Sequence, residues 1–85
     1  MNLFFIERYI KKITKEDIYN YALSQEITLS SKELDILYHY LKNYYKEFLL
    51  NKESQPIILK EIQSQITPKT ANKLEELYQL YKNKI

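Results

Sequence analysis

Apolar residues recur along this chain at three- and four-residue steps, and no run alternates with period two over a useful length, so the pattern predicts helices throughout. The first would span about Leu3 to Lys12, with Leu3, Ile6, Ile10 and Ile13 on one face. The second would span about Lys15 to Gln25 and turn Ile18, Tyr21 and Ala22 inward. Ile27 and Leu29 follow as a short extended connector whose alternate side chains both reach the core. A third helix from Ser31 carries Leu34, Leu37, Tyr38, Leu41, Tyr45 and Phe48 on its inner stripe. It either runs unbroken to about Leu50 or breaks near Asn43, and the periodicity favours the unbroken form. The fourth would begin near Ser54 or Gln55, with Pro56 in its first turn and Ile58, Leu59, Ile62 and Ile66 buried. The fifth, Pro68 to about Asn83, aligns Ala71, Leu74, Leu77, Tyr78 and Tyr81, and its last turn carries Lys82 and Lys84 where positive charge suits the helix dipole.

Helix boundaries are marked by polar caps. Thr14 and Ser30 each follow an aliphatic residue and each precede an acid three positions on, Asp17 and Glu33 respectively. This is the capping box with its hydrophobic staple, in which hydroxyl and carboxylate satisfy backbone N–H groups that have no partner inside the helix. Thr67 with Pro68 marks the third such start, since the missing proline N–H costs nothing in the first helical turn. The chain therefore reads as a single domain over residues 1–85: an all-α, small compact bundle of four to five helices.

Composition narrows the chemistry. The 85 residues include no glycine, cysteine or tryptophan, so phosphate-cradling loops, thiolate catalysis and disulfides are all excluded. Thirteen basic and 11 acidic residues leave a formal charge of +2, which neither demands nor excludes a nucleic-acid partner. Glu7, Arg8, Lys11 and Lys12 end the amino-terminal apolar run after four residues, too soon for a signal core or a membrane span. A cytoplasmic protein is expected, with no membrane association and no evident small-molecule substrate.

His39 is the only histidine and lacks an orienting acid in the sequence pattern, so a surface position is favoured over a general base. The pairs Glu16–Asp17 and Glu75–Glu76 lie at capping or solvated helix positions and lack the spacing of a calcium loop. No catalytic residue, metal ligand or cofactor is expected, and the protein reads as non-enzymatic. The nine tyrosines are the stronger anomaly. Most are accounted for as packing on helical stripes, but Ile36, Tyr40 and Tyr44 succeed one another at i, i+4 on the side of the third helix away from its main stripe. A helix apolar on two sides either sits centrally or offers one side to a partner. Phe4 and Phe5 likewise lie off the inward face of the first helix. The expected function is a protein–protein interaction module or a self-associating accessory protein, with Ile36, Tyr40 and Tyr44 as the candidate surface.

The alternative is nucleic-acid binding through Arg8, Lys11, Lys12, Lys15, Lys42 and Lys46. The second helix, the connector and the third helix, opening Ser31-Lys32-Glu33-Leu34, resemble the helix-extended-helix layout of SAP-type nucleic-acid modules over about a third of the chain.

Read end to end, the chain resembles the YqfT-like family of short proteins of unknown function from low-GC Gram-positive bacteria. The resemblance rests on Met1-Asn2-Leu3-Phe4, Ile13-Thr14-Lys15-Glu16-Asp17-Ile18 with Tyr21-Ala22, Ile27-Thr28-Leu29-Ser30, Ile58-Leu59-Lys60-Glu61-Ile62 and Ile66-Thr67-Pro68-Lys69-Thr70-Ala71. Members of that family tend to carry a Gly or Asn turn where this chain has Leu41-Lys42-Asn43-Tyr44, which leaves the continuity of the third helix open. The resemblance implies a small cytoplasmic bacterial protein and supplies no catalytic residues.

Overall fold

The computed structural model describes residues 3–82. Their order is α1 (Leu3–Lys12), α2 (Lys15–Ser24), α3 (Ser31–Leu50), α4 (Gln55–Gln63) and α5 (Pro68–Tyr81), with no strand among the described residues. The placements expected for the Leu3, Phe4 and Tyr81 side chains, and for Asn83 and Lys84, lie outside the described residues.

The capping reading is met at all three hydroxyl sites. Thr14 Oγ1 accepts from the Asp17 N–H at 3.1 Å while Asp17 Oδ2 accepts from the Thr14 N–H at 2.9 Å. Ser30 and Glu33 exchange the same two bonds at 3.1 and 3.2 Å. At α5 the Thr67 hydroxyl accepts from the Thr70 N–H at 3.5 Å, and Pro68 occupies the first turn. The α2 terminus shows how a chain without glycine turns. The Ile27 N–H donates to the Ala22 carbonyl at 2.9 Å and the Glu26 N–H to the Leu23 carbonyl at 3.0 Å, a Schellman closure. Its left-handed residue, normally glycine, is Glu26 at φ 65°. Ile27 and Ala22, which this closure brings together, are both core residues.

α3 is unbroken for 20 residues. Asn43, the suspected breaker, donates its side-chain amide to the His39 carbonyl at 2.8 Å and leaves the helical run intact. α3 is the central element: α1 and α2 pack on one part of it and α4 on another, with α5 resting on α4. Buried apolar residues come from both sides, Ile10, Ala22, Ile27 and Leu29 from one and Ile58 and Leu59 from the other. One expectation is overturned. Tyr21 is not core but 53% exposed, and Tyr19 packs against the Ala22 cluster with Ile18 instead. Tyr21 and Ala22 are neighbours about 100° apart on α2, and it is the Ala22 direction that faces the core.

Two long-range clasps hold the outer helices on α3. Glu33, buried in the first turn of α3, extends Oε2 to the Thr67 N–H at 3.0 Å and the Thr67 hydroxyl at 2.9 Å, so one carboxylate caps the starts of both α3 and α5. Burial pushes this carboxyl upward, but the donors on Thr67, Ser30 and Thr70 outweigh it and hold it at about 2. At the opposite polarity, Lys42 Nζ of α3 donates to the carbonyls of Ile10 at 2.7 Å and Lys11 at 3.0 Å, the unsatisfied acceptors at the end of α1. Gln55 adds a buried link, donating to the Phe48 carbonyl at 2.8 Å and accepting from the Tyr78 hydroxyl at 3.2 Å.

Candidate protein-binding groove

Among the described residues, the backbones of α1 and α2 do not approach those of α4 and α5. With α3 as floor, the space between them is a groove of about 630 Å³. α1 contributes Ile6, Tyr9 and Ile10, and Ile13 follows from the connector to α2; α3 contributes Leu37, Tyr40, Leu41, Tyr44, Tyr45 and Phe48; α4 and α5 contribute Ile58, Leu59, Ile62, Leu74, Leu77 and Tyr78. Ile18, Tyr21 and Ala22 of α2 also line it, and Asp17 is the one charged residue among the described lining residues. The volume falls in the range of about 300–1,000 Å³ typical of binding pockets, and the walls are almost wholly hydrocarbon and aromatic ring. No large side chain among the described residues is completely sealed from solvent, as an open core requires.

Two tyrosine hydroxyls, one on the floor and one on the far wall, are turned to partners. The Tyr40 hydroxyl accepts from Gln65 Nε2 at 2.9 Å, and the Tyr78 hydroxyl is bonded to Gln55. Their rings are thereby held as walls. Tyr40 and Tyr44 stack in a tilted pair at 5.2 Å, His39 meets both edge-on at 5.6 and 6.0 Å, and Phe48 meets Tyr78 at 6.0 Å.

Of the candidate surface, the fold brings Tyr40 and Tyr44 together in the groove and leaves half-buried Ile36 outside its lining. Sequence periodicity missed the rim. Tyr9 is 67% exposed on α1 and Tyr21 faces them from α2, yet each helix alone gives no sign that these rings share a concavity.

The candidate basic residues are placed differently from a phosphate-binding face. Lys42 is the α1 clasp, and Lys15 pairs with Asp35 at 2.6 Å. Both also sit over the Tyr38 ring, 5.5 and 5.4 Å from its centre. Lys11 and Lys46 converge on Glu7 at 3.3 and 3.7 Å. The Glu7 carboxyl is held below its ordinary value, chiefly by the hydrogen bond from Lys11, with desolvation opposing and Lys46 adding attraction. Glu7, Lys11, Lys42 and Lys46 line a second, polar cleft of about 370 Å³ that shares Ile10 and Tyr45 with the groove. Arg8 and Lys12 lie exposed on the outer face of α1.

Among the described residues no three His, Asp or Glu side chains gather as a metal site, and no helix is long and apolar enough to cross a membrane. Compared with protein-family models, with curated proteins and with solved structures, the chain has no match in any of the three.

Proposed function

We propose that this protein is a non-enzymatic interaction module whose apolar groove receives the hydrophobic face of a helix. The observation that carries this reading is the groove itself: apolar side chains from all five helices line it, and exposed aromatic rings stand at its mouth. Helix-in-groove recognition uses such a surface, with side chains at i, i+3, i+4 and i+7 of the guest filling successive positions. Rigid, well-packed tyrosine rings are suited to it because each offers a large apolar area with few rotatable bonds. A cytoplasmic location and the YqfT-like kinship belong to the same proposal and rest on the sequence residues alone.

The engaged lysines weigh against nucleic-acid binding, since four of the six candidate cations are turned to acids or carbonyls of the same chain. DNA or RNA affinity falling steeply with salt would restore that alternative.

A synthetic helix with Leu on one face and Gln on the other, titrated into isotope-labelled protein, tests the groove. The expected result is chemical-shift change concentrated at Tyr40, Leu41, Tyr44 and Leu74. No change, or changes centred on exposed Ile57 outside the groove, would overturn the reading.

A further inference from the structure

His39 is the chain's only histidine, and it stands against two tyrosines that line the groove. Asn43, one turn on, directs its side-chain amide nitrogen both to the His39 carbonyl at 2.8 Å and to His39 Nδ1 at 3.2 Å. An amide nitrogen only donates, so Nδ1 accepts, and the ring in this arrangement is neutral with its proton on Nε2. A protonated imidazole carries N–H at both positions and meets the amide as donor against donor. Turning the amide over does not repair the contact, because its oxygen then faces the His39 carbonyl. The Asn43 side chain therefore bridges carbonyl and ring only while the ring is neutral.

We infer that the His39–Asn43 pair is a proton-operated switch on the groove: the neutral, bridged ring leaves the Tyr40–Tyr44 pair to a guest helix, and the protonated, released ring competes for it. The inference names a regulation of the groove and rests on the groove being a protein-binding surface, as proposed above. The imidazole meets Tyr40 and Tyr44 edge-on at 5.6 and 6.0 Å. A cation within about 6 Å of a ring centre is drawn to the ring's face, so an imidazolium freed from Asn43 covers aromatic surface that a guest would otherwise bury. A charge at this apolar rim must also shed water when the guest seats. The surroundings leave the proton to decide. His39 is exposed; Asp35, one turn before it, is paired with Lys15 of α2, and Lys42 is turned to the α1 carbonyls. Gln65, which follows α4 and holds the Tyr40 hydroxyl, is neutral. Histidine is the side chain whose charge ordinarily changes between about pH 5 and 8, and no cysteine is present to share that window. The Glu33 carboxyl, held at about 2, stays ionised across it and keeps the α3–α5 clasp closed.

The Leu/Gln helix carries no titratable side chain, so its affinity at about pH 5.5 and about pH 7.5 reads the switch on the protein alone. The wild type is expected to bind it about three- to tenfold more weakly at the lower pH. His39→Gln, an exposed substitution that cannot take a proton, should keep the higher-pH affinity within about twofold and lose the dependence. Asn43→Ala removes the bridge and should bring the higher-pH affinity down toward the lower-pH value. Equal wild-type affinity at the two pH values, a dependence that survives His39→Gln, or an Asn43→Ala chain that behaves as wild type overturns the inference. The two levels separate cleanly: if the helix binds the groove equally at both pH values, the groove reading stands and the switch fails. If it binds at neither, both fail.

Discussion

The two clasps that tie α1 and α5 to α3 use opposite charges for one physical task. Glu33 presents a carboxylate to the amino-terminal donors of α5, and Lys42 presents an ammonium to the carboxy-terminal acceptors of α1. Both answer the unpaired groups and the partial charge at helix ends. They differ in surroundings. Glu33 is 5% exposed and bonded by several donors at once, whereas Lys42 is half-buried and one of its two bonds is exposed. The same kind of interaction is therefore worth more at the α5 wall than at the α1 wall, and the α1 wall is the one whose edge is exposed for a partner. The difference teaches that burial, more than charge sign, ranks these contacts.

The largest expected effect is at Glu33. Glu33→Gln keeps the shape but loses the charge and part of the acceptor set, and thermal or urea unfolding should show a loss of about 2–3 kcal/mol. An equal response from Lys42→Met would break the comparison. Acid titration sharpens it. The folded carboxyl at about 2 lies below its ordinary 4.5, so its contribution is complete above about pH 4.5 and disappears as pH falls toward 2. That contribution is about 3 kcal/mol at neutral pH, from 1.36 kcal/mol per unit. Glu33→Gln should flatten the acid limb of the stability curve, and an unchanged limb would assign acid sensitivity elsewhere.

Lys42→Met retains the aliphatic stem and should cost about 1 kcal/mol in the same unfolding measurement, with amide exchange faster in α1 than in α5. At Glu26 the expected change has the other sign. Glu26→Gly relieves a left-handed side-chain residue and should raise stability by about 0.5–1 kcal/mol, read as a higher midpoint at unchanged slope. The smallest effect belongs to the exposed pair Lys15–Asp35, whose removal by Lys15→Met should alter stability by less than about 0.5 kcal/mol and vanish in high salt.

Much of the fold was legible residue by residue. Thr14, Ser30 and Thr67 announce three helix starts because capping is a local bond between neighbours, and Ile27 and Leu29 reach the core because a strand-like connector alternates. Glu33 was legible only as the cap of its own helix; that it also caps α5 depends on a contact 34 residues away. Tyr21 was misplaced because periodicity gives relative angles around a helix and not which angle faces inward. The groove was legible only in part, as the Tyr40–Tyr44 side of α3, since a concavity belongs to no single helix.

Local bonding and the 3.6-residue period thus determined by themselves the all-helical class, the approximate helix starts and the three hydroxyl caps, and composition removed glycine-dependent and cysteine-dependent chemistry. Only the tertiary structure decided that α1 and α5 stand apart across α3, that the lysines read as a basic face become clasps and ion pairs, and that Tyr9, Tyr21, Tyr40 and Tyr44 share one opening. The reason is range: caps act between residues three apart, while a groove is defined by which distant helices fail to meet.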